Sequence, residues 1–284
     1  MKPPPFAYSA PDSVEEALAL LADLGSDGKV LAGGQSLVPM LNMRLAAPTH
    51  LVDINGLGAE LGGIEASDDG VRVGALARHA AVQGSAAAAA VLPLLRQALV
   101  QVAHPVIRNR GTVVGSLAHA DPSAEMPAIL CLLGGSVQVA SVDGERTVAA
   151  ADLFAGPMET SLRPGELIVS SWFPVLPERT TTAFLEVTRR HGDYAVCGVA
   201  VAVTRDGDGA ITGARAAYVS MSDTPLVLDL TEALVTRPAP GDRVEAAGRL
   251  AAARVTPDSD IHATAEYRRH LAGVLTVRAM RAAS

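Results

Sequence analysis

Two glycine-rich stretches contain the residues best suited to chemistry in this sequence. In the first, "KVLAGGQSL" at residues 29–37, Gly33 and Gly34 separate a short apolar run from a segment with helical spacing. Glycines accept positive φ, so consecutive N–H groups can turn into one concavity beside a helix N-terminus and hold an anion. Gln35 and Ser36 offer further donors. An ordinary strand–helix turn is the alternative interpretation.

The second stretch, "RGTVVGSLAHADP" at residues 110–122, has the same character. Gly111, Thr112, Gly115 and Ser116 are predicted to form a glycine- and hydroxyl-rich turn that leads into another helix. A dinucleotide has two phosphates between two sugars, so two such loops that converge would form a pyrophosphate cradle. Neither stretch matches the GxGxxG fingerprint of a Rossmann fold.

The elements around these loops predict an α+β protein. Residues 1–57 indicate a small β-α-β unit, with a first helix that Gly25 ends. Residues 58–177 contain two strand–turn–strand hairpins, several helices and the strand "GELIVSSWFPV". After a break near Pro177, residues 178–284 show three strands followed by helices. We expect those helices to cover one face of an antiparallel sheet.

The composition excludes several classes of protein. The formal net charge of −7 argues against a nucleic-acid partner, which needs a cationic surface. The two cysteines, Cys131 and Cys197, stand far apart in apolar runs and supply no usual iron–sulfur or zinc motif. No run reaches the length of a membrane span. We therefore expect a cytoplasmic protein with no metal site of its own.

Four segments together resemble a known family. These are "AGGQSL" at 32–37, "VDI" at 52–54, "IRNRGTVVGSLAHADPSAEMPA" at 107–128 and "GDYAV" at 192–196. They are similar to the FAD-binding medium subunit of molybdenum hydroxylases, the group of bacterial carbon-monoxide dehydrogenase and the xanthine dehydrogenase flavin domain. The resemblance implies a two-subdomain FAD-binding domain of the PCMH or vanillyl-alcohol-oxidase-like type. A C-terminal α+β domain with a small antiparallel sheet and helices would follow it.

The resemblance also implies which residues contact FAD. In the two loops they are Ala32, Gly33, Gly34, Gln35, Ser36, Leu37, Gly111, Thr112, Val114, Gly115 and Ser116. Asp121 would bond the nucleotide part, although Asp followed by Pro122 is also a good helix N-cap. Leu167 and Ile168 would line the flavin through their backbone, or serve only as core strand residues.

Further residues would surround the isoalloxazine ring. Val102 and Ala103 match a segment beside the ring, Tyr194 matches an aromatic position near it, and Arg190 or Arg189 matches a nearby cation. The alternative is that Tyr194 packs on a strand and the arginines are solvated. No catalytic residue is implied, and nearby histidines such as His104, His119 and His191 have no paired acid at a useful spacing.

Val114 departs from the family pattern. The second loop usually reads Thr-x-Gly-Gly-Ser/Asn, and Val114 replaces the first of the paired glycines. A β-branched residue disfavours positive φ and adds bulk where the backbone would approach phosphate. The sequence leaves two outcomes open: a weakened flavin site that Val114→Gly would repair, or a loop that has adapted to valine.

The resemblance implies electron transfer as the function. The chain would pass electrons from the iron–sulfur clusters of a small subunit through FAD to a terminal acceptor, while a molybdopterin large subunit oxidises the substrate. A stand-alone FAD-dependent oxidoreductase acting on a small molecule is the alternative, and the Val114 departure favours it. A domain that has lost its cofactor is a third hypothesis, which the intact Gly-Gly-Gln-Ser loop argues against.

Overall fold

The computed structural model describes residues 1–235 and 240–283. The strands are β1 Ala7–Ser9, β2 Gly28–Leu31, β3 His50–Asp53, β4 Ile64–Ser67, β5 Gly70–Gly74, β6 Ser136–Ser141, β7 Gly144–Ala149, β8 Phe154–Gly156, β9 Glu159–Thr160, β10 Leu167–Pro174, β11 Thr180–Thr188, β12 Ala195–Arg205, β13 Ile211–Val219 and β14 Leu226–Asp229. The helices are α1 Val14–Leu24, α2 Leu37–Met43, α3 Gly58–Leu61, α4 His79–Gly84, α5 Ala86–Val91, α6 Pro93–Leu99, α7 Pro105–Arg108, α8 Val113–His119, α9 Glu125–Leu133, α10 Ala150–Leu153, α11 Thr231–Val235, α12 Pro240–Arg254 and α13 Ala265–Ala282. This mixture of helices and sheets confirms the predicted α+β class.

The first subdomain is a parallel sheet with strand order β1-β3-β2. Ser13 accepts a hydrogen bond from the Glu16 N–H at 3.1 Å and so begins α1, and Gly25 at a φ of 53° ends it. The β2-α2-β3 unit lies where the sequence predicts it. β1 was not predicted, because three residues are too few to show a hydrophobic pattern.

The second subdomain is an antiparallel sheet with strand order β4-β5-β10-β6-β7. Its two hairpins lie where the sequence predicts them, with Asp68-Asp69 and Val142-Asp143 at their tips and with Gly70 and Gly144 as the first residues of the returning strands. β10 lies in the centre and pairs with β5 on one side and β6 on the other. Helices α4 to α9 lie between β5 and β6 in the chain. This long connection contains the second glycine-rich stretch.

The C-terminal sheet is an antiparallel meander, β11-β12-β13-β14. Along β12, Val199 and Val201 pack into one core with α12 and α13, while Ala200 and Ala202 join the core of the preceding domain. The C-terminal helices therefore cover one face of this sheet, as expected, and the preceding domain covers the other. Burial on both faces explains why "AVCGVAVAV" is an almost continuous apolar run rather than an alternating one.

Within the described ranges, no helix combines the length and the apolar character that crossing a membrane requires. Cys131 and Cys197 are both free thiols, as the sequence predicts. Burial raises the pKa of each thiol to about 12.

Candidate cofactor site

The two glycine-rich stretches are in direct backbone contact. A Cβ atom built on Gly33 would lie 2.5 Å from the carbonyl oxygen of Arg110 and 2.8 Å from the Cα of Gly111. Real Cβ atoms essentially never approach that closely, so this contact needs a residue without a side chain at position 33. Gly34 follows at a φ of 71°, which an L-residue rarely adopts. The two segments therefore meet in the folded chain, which is the condition that a shared cradle requires.

The first loop runs from the end of β2 into α2 and presents its backbone donors. The Gln35 amide donates to the Gly33 carbonyl at 3.1 Å, which holds the loop in shape. Helical hydrogen bonding begins with the Val38 N–H, which donates to the Gly34 oxygen at 3.0 Å. The N–H groups before Val38 precede that ladder, as at the start of any helix. They form a set of donors suited to an anion.

The second stretch is mostly helix rather than turn. Thr112 is the N-cap of α8, and its hydroxyl accepts from the Gly115 N–H at 3.0 Å. Gly115 and Ser116 therefore lie in the first turn of α8, which corrects the prediction that they belong to a loop. The reason is that a threonine N-cap satisfies an orphan donor and allows the helix to begin directly after it.

Val114 does not stand at a strained position. It lies in α8, outside the set of residues with positive φ, and its side chain is 3% exposed within the main hydrophobic core. The argument that its methyl groups block an approaching phosphate is therefore wrong. The Val114 N–H donates to no acceptor among the described residues, so its backbone remains available although its side chain is turned inward.

Asp121 caps a turn and not a helix. Its Oδ1 accepts from the Ser123 N–H at 2.8 Å, whereas α9 begins only at Glu125 with Ala124 as N-cap. The predicted Asp121 N-cap is wrong because Asp121 and Pro122 open a turn that the Ala124 N–H closes at 3.0 Å.

Glu125, the first residue of α9, is buried. Burial raises the pKa of its carboxyl group to about 7, and the hydrogen bond from its own backbone N–H opposes the rise.

The segments predicted beside the flavin ring come from two domains. Arg108 is buried and donates at 2.8 Å to the carbonyl oxygens of both Val102 and Ala103, which holds Ala103 at a φ of 44°. The next residue, His104, packs edge-on against His191 of the C-terminal domain, with ring centroids 5.8 Å apart. The 102–104 segment therefore meets the turn that leads to β12.

That turn carries the predicted aromatic and cationic residues. Tyr194 precedes β12 and is 65% exposed, so it does not pack on a strand as the alternative proposed. Arg189 and Arg190 reach the Asp193 carboxylate at 3.7 Å and 3.4 Å, and their side chains are 48% and 78% exposed, so they form ion pairs in contact with solvent, as that alternative expects. Leu167, by contrast, is buried in β10, where it pairs with Ala140 in the sheet.

Leu167's neighbour in that strand, Ile168, is also buried, and it pairs with Val139. The structure thus brings together the two glycine-rich stretches, and separately the 102–104 segment and the Tyr194 turn. Leu167 and Ile168 have the surroundings of core strand residues.

The sequence did not reveal a polar network beneath the loops. Arg78 donates to the Arg110 carbonyl and to Asn55 Oδ1, both at 2.6 Å, and Asn55 donates to the Ala32 carbonyl at 2.8 Å. Asn55 directly follows the "VDI" segment at 52–54, and this position was the one indication in the sequence that Asn55 belongs to the site. Nothing local marks Arg78, because its partners are distant in the chain.

Asp53 anchors this network on the first sheet. Its carboxylate accepts from the Tyr8 hydroxyl at 2.7 Å and from the Asn55 N–H at 2.9 Å. Burial by itself would raise the pKa of Asp53, but these bonds and the charge of Arg110 together bring it below its ordinary value. Asp53 therefore stays ionised at neutral pH.

His79 lies beneath the second loop. Its Nδ1 would be 3.0 Å from a Cβ on Gly111, and its own N–H donates to the Gly111 carbonyl at 2.9 Å. The ring is buried, and neither ring nitrogen has a hydrogen-bond partner among the described residues. Burial first, and then the charge of Arg108, lower its pKa to about 4, so the imidazole is neutral.

Comparison with known proteins finds matches that cover nearly the whole chain. Residues 4–176 match the family model of the FAD binding domain in molybdopterin dehydrogenase, and residues 182–283 match that of the CO dehydrogenase flavoprotein C-terminal domain. The chain is 42% identical to the 6-hydroxypseudooxynicotine dehydrogenase complex subunit alpha of Paenarthrobacter nicotinovorans, over 99% of this chain and 95% of that one. It is 38% identical to the carbon monoxide dehydrogenase medium chain of Afipia carboxidovorans, over 99% and 97%.

A solved structure shows the same fold. The carbon monoxide dehydrogenase from Hydrogenophaga pseudoflava that lacks the Mo-pyranopterin moiety contains a chain that superposes with a TM-score of 0.92 at 37% identity. The match covers 100% of this chain and 98% of that one. With the family models, the full-length relatives and the paired glycine loops in agreement, this chain belongs to the family of FAD-binding medium subunits of the molybdenum hydroxylases.

Proposed function

We propose that this chain is the electron-transfer subunit of a molybdenum-containing hydroxylase and holds one non-covalent FAD. The observation that carries the proposal is the backbone contact between Gly33 and Gly111, which places the first loop against a stretch whose Thr112 and Val114 N–H groups donate to no acceptor among the described residues. FAD, when bound, accepts electrons singly and releases them as a pair, so it suits a relay between one-electron clusters and a two-electron acceptor. The chain's own task is to bind and orient the flavin.

The cradle fits a pyrophosphate by the chemistry of its donors. Backbone N–H groups at a helix start carry partial positive charge and bond phosphate oxygens without bulky side chains between them. The residues assigned to the cradle are Ala32, Gly33, Gly34, Gln35, Ser36 and Leu37 of the first loop, and Gly111, Thr112, Val114, Gly115 and Ser116 of the second stretch. In the second stretch Thr112 and Val114 would donate, because the N–H groups of Gly111, Gly115 and Ser116 already have acceptors within the chain, so these three would line the cradle. Val114 would act through its N–H alone, since its side chain is in the core.

The other residues assigned to FAD contact its nucleotide part or lie near the junction of the two domains. Asp121, with its side chain 12% exposed, would accept hydrogen bonds from the nucleotide part of FAD. The ring would lie where the FAD domain meets the C-terminal domain. Val102, Ala103, Arg190 and Tyr194 would surround it there, with Leu167 and Ile168 behind it. Exposure of Tyr194 supports this role, because an exposed aromatic ring offers a stacking face.

The division of the chain belongs to the same proposal. The FAD-binding domain covers 1–177, with subdomains at about 1–57 and 58–177, and the C-terminal domain covers 178–284. The family-model matches at 4–176 and 182–283 support this division.

Partner subunits supply the rest of the electron path. The relatives are named as subunits or chains of dehydrogenase complexes, and none of their names describes a self-contained enzyme. With only two cysteines, each alone in an apolar segment, this chain offers no cluster ligands. An iron–sulfur small subunit would deliver the electrons, and a molybdopterin large subunit would oxidise the substrate. The two free thiols support a cytoplasmic location, where disulfides are rare.

The stand-alone alternative loses the feature that favoured it. It rested on Val114 as a departure that weakens the site, and Val114 is a core residue of α8. The test is to purify the chain alone and with its partner subunits, then add substrate of the complex without an external acceptor. We expect flavin absorbance to bleach only in the complex.

Acid precipitation provides the second readout of the same preparation. Non-covalent FAD should appear as a yellow supernatant with one flavin per chain. Flavin retained in the pellet would contradict the mode of binding. Bleaching of the isolated chain by a small molecule would overturn the relay function.

A further inference from the structure

Arg78 lies between the two glycine-rich stretches and is bonded towards both. One terminal nitrogen of its guanidinium donates to the carbonyl oxygen of Arg110, and the other donates to Asn55 Oδ1, each at 2.6 Å. The Asn55 side-chain nitrogen donates in turn to the carbonyl oxygen of Ala32 at 2.8 Å. A chain of three hydrogen bonds therefore links the carbonyl that precedes Gly33 to the carbonyl that precedes Gly111.

The orientation of Asn55 is fixed from the other side. Asp53 Oδ1 accepts from the Asn55 side-chain nitrogen at 2.6 Å and from its backbone N–H at 2.9 Å. An ionised carboxylate only accepts hydrogen bonds, so the amide nitrogen must face Asp53 and the amide oxygen must face Arg78. Tyr8 bonds the second oxygen of the same carboxylate at 2.7 Å. The Asn55 amide can therefore join Arg78 to Ala32 in only one of its two orientations.

The main chain on either side of Arg78 already belongs to the second stretch. The His79 N–H donates to the Gly111 carbonyl at 2.9 Å, and the Val113 N–H donates to the Ala77 carbonyl at 3.3 Å. Arg78 and Thr112 face each other in an isolated antiparallel bridge. The side chain of Arg78 extends this attachment across to the first loop.

We propose that Arg78 is a positioning residue that sets the spacing of the two loops, so that their N–H groups converge on one pyrophosphate. The inference rests on the proposed function and adds to it a residue that does not itself contact the cofactor. Arginine suits the task because its planar fork presents two donors at a fixed separation, which a lysine ammonium cannot do. Its charge strengthens both bonds and adds positive potential beside the cradle.

The test compares Arg78→Gln with a matched control. Arg96 also donates to two backbone carbonyls, those of Gln83 and Ser85, but it does so at the junction of α4 and α5. Titration of the FAD-free chain with FAD should show affinity lower by about ten- to a hundredfold for Arg78→Gln, as expected for lost charged hydrogen bonds. Arg96→Gln should remain within about twofold of the parent chain.

A spectroscopic readout separates positioning from general loss of stability. At saturating FAD, the ³¹P resonances of the bound pyrophosphate should shift in Arg78→Gln and stay unchanged in Arg96→Gln. Unchanged ³¹P resonances in a folded Arg78→Gln chain would overturn the inference even if the affinity fell. Unchanged affinity would overturn it as well.

Asn55→Ala gives an independent route if Arg78→Gln does not fold. It leaves Arg78 bonded to Arg110 but cuts the link to Ala32, so the same ³¹P shift and weaker FAD binding are expected. In the double variant the losses should be less than additive, because both changes break one chain of bonds. Failure of the parent chain to bind FAD would instead refute the proposed function.

Discussion

Gly33 and Gly111 lie so close that a single methyl group on Gly33 would fall 2.8 Å from the Gly111 Cα. The two residues are far apart in the chain, yet their contact holds a strand–helix loop against the start of a second helix. The first loop contains N–H groups that precede the hydrogen bonds of α2, and the second stretch adds those of Thr112 and Val114, which donate to no acceptor among the described residues. The site is therefore a property of the junction, and changes at the junction should affect FAD binding first.

Gly33→Ala should lower FAD affinity by about tenfold or more, because the loops must separate to admit the methyl group and lose at least one bond to phosphate. Fluorescence titration of the FAD-free chain measures the change. Gly58→Ala is the control, since a Cβ there meets nothing within 4 Å. Equal affinities for the Gly33 and Gly58 variants would show that the loop contact does not matter for binding.

Val114→Gly should destabilise the fold without improving the site. The substitution removes a buried side chain from the core and places glycine in α8, at a combined cost of roughly 2–4 kcal/mol in the free energy of unfolding. Urea unfolding of the FAD-free chain measures this loss. FAD binding that tightens in the variant would restore the idea that valine impairs the cradle.

Tyr194→Leu should weaken FAD binding by roughly two- to tenfold, the range expected for one lost aromatic stacking contact. It should also raise the fluorescence of bound flavin, because a stacked tyrosine quenches the ring. Tyr267→Leu is the control, as Tyr267 is also exposed but lies on α13. The assignment of Tyr194 fails if the two variants fluoresce alike.

Glu186→Gln should make stability less dependent on pH. Burial raises the pKa of Glu186 to about 8, with the charge of Glu125 adding to the rise, and its Oε2 has no partner among the described residues. The folded chain thus holds a proton that the unfolded chain loses near its ordinary pKa of 4.5. Stability must fall as pH rises from about 4.5 to about 8.

Across the window from pH 6.5 to 8, Glu125, whose pKa burial raises to about 7, lowers stability in the same direction, so part of the fall remains in Glu186→Gln. Below this window, His79, whose pKa burial lowers to about 4, acts in the opposite direction: the unfolded chain binds the proton, so stability rises with pH. Across the window, the melting temperature of the parent chain should fall, and that of Glu186→Gln should fall less. Glu65→Gln, at an exposed carboxylate, should follow the parent chain. If the melting temperatures of all three chains fell equally across the window, the claim that Glu186 holds a proton in the folded chain would be wrong.

Much of the local structure follows from neighbouring residues in the chain. Ser13 and Gly25 begin and end α1 because a hydroxyl and a positive φ satisfy the orphan groups of a helix. The two hairpins turn directly before Gly70 and Gly144 for similar short-range reasons. The Gly33–Gly34 turn belongs to this group, since its conformation depends on two residues without side chains.

Other features depend on residues that meet only in the folded chain. The stretch after Thr112 was expected to be a loop, but Thr112 caps α8 and the helix begins directly after it. Whether a threonine hydroxyl caps a helix or bonds elsewhere depends on the surrounding backbone. Val114 faces the core because α8 packs against the second sheet, a fact that its own sequence neighbourhood does not contain. β1 exists because β3 offers it a partner.

The sequence by itself therefore determined the class of the fold, the two glycine-rich segments and the family. The tertiary structure decided that Gly33 touches Gly111 and that Arg78 joins their loops through Asn55. Local conformation is governed by short-range sterics and hydrogen bonds, which a few adjacent residues encode. A site between segments depends on side chains that are distant in the chain, and their distances exist only after the core has brought them together.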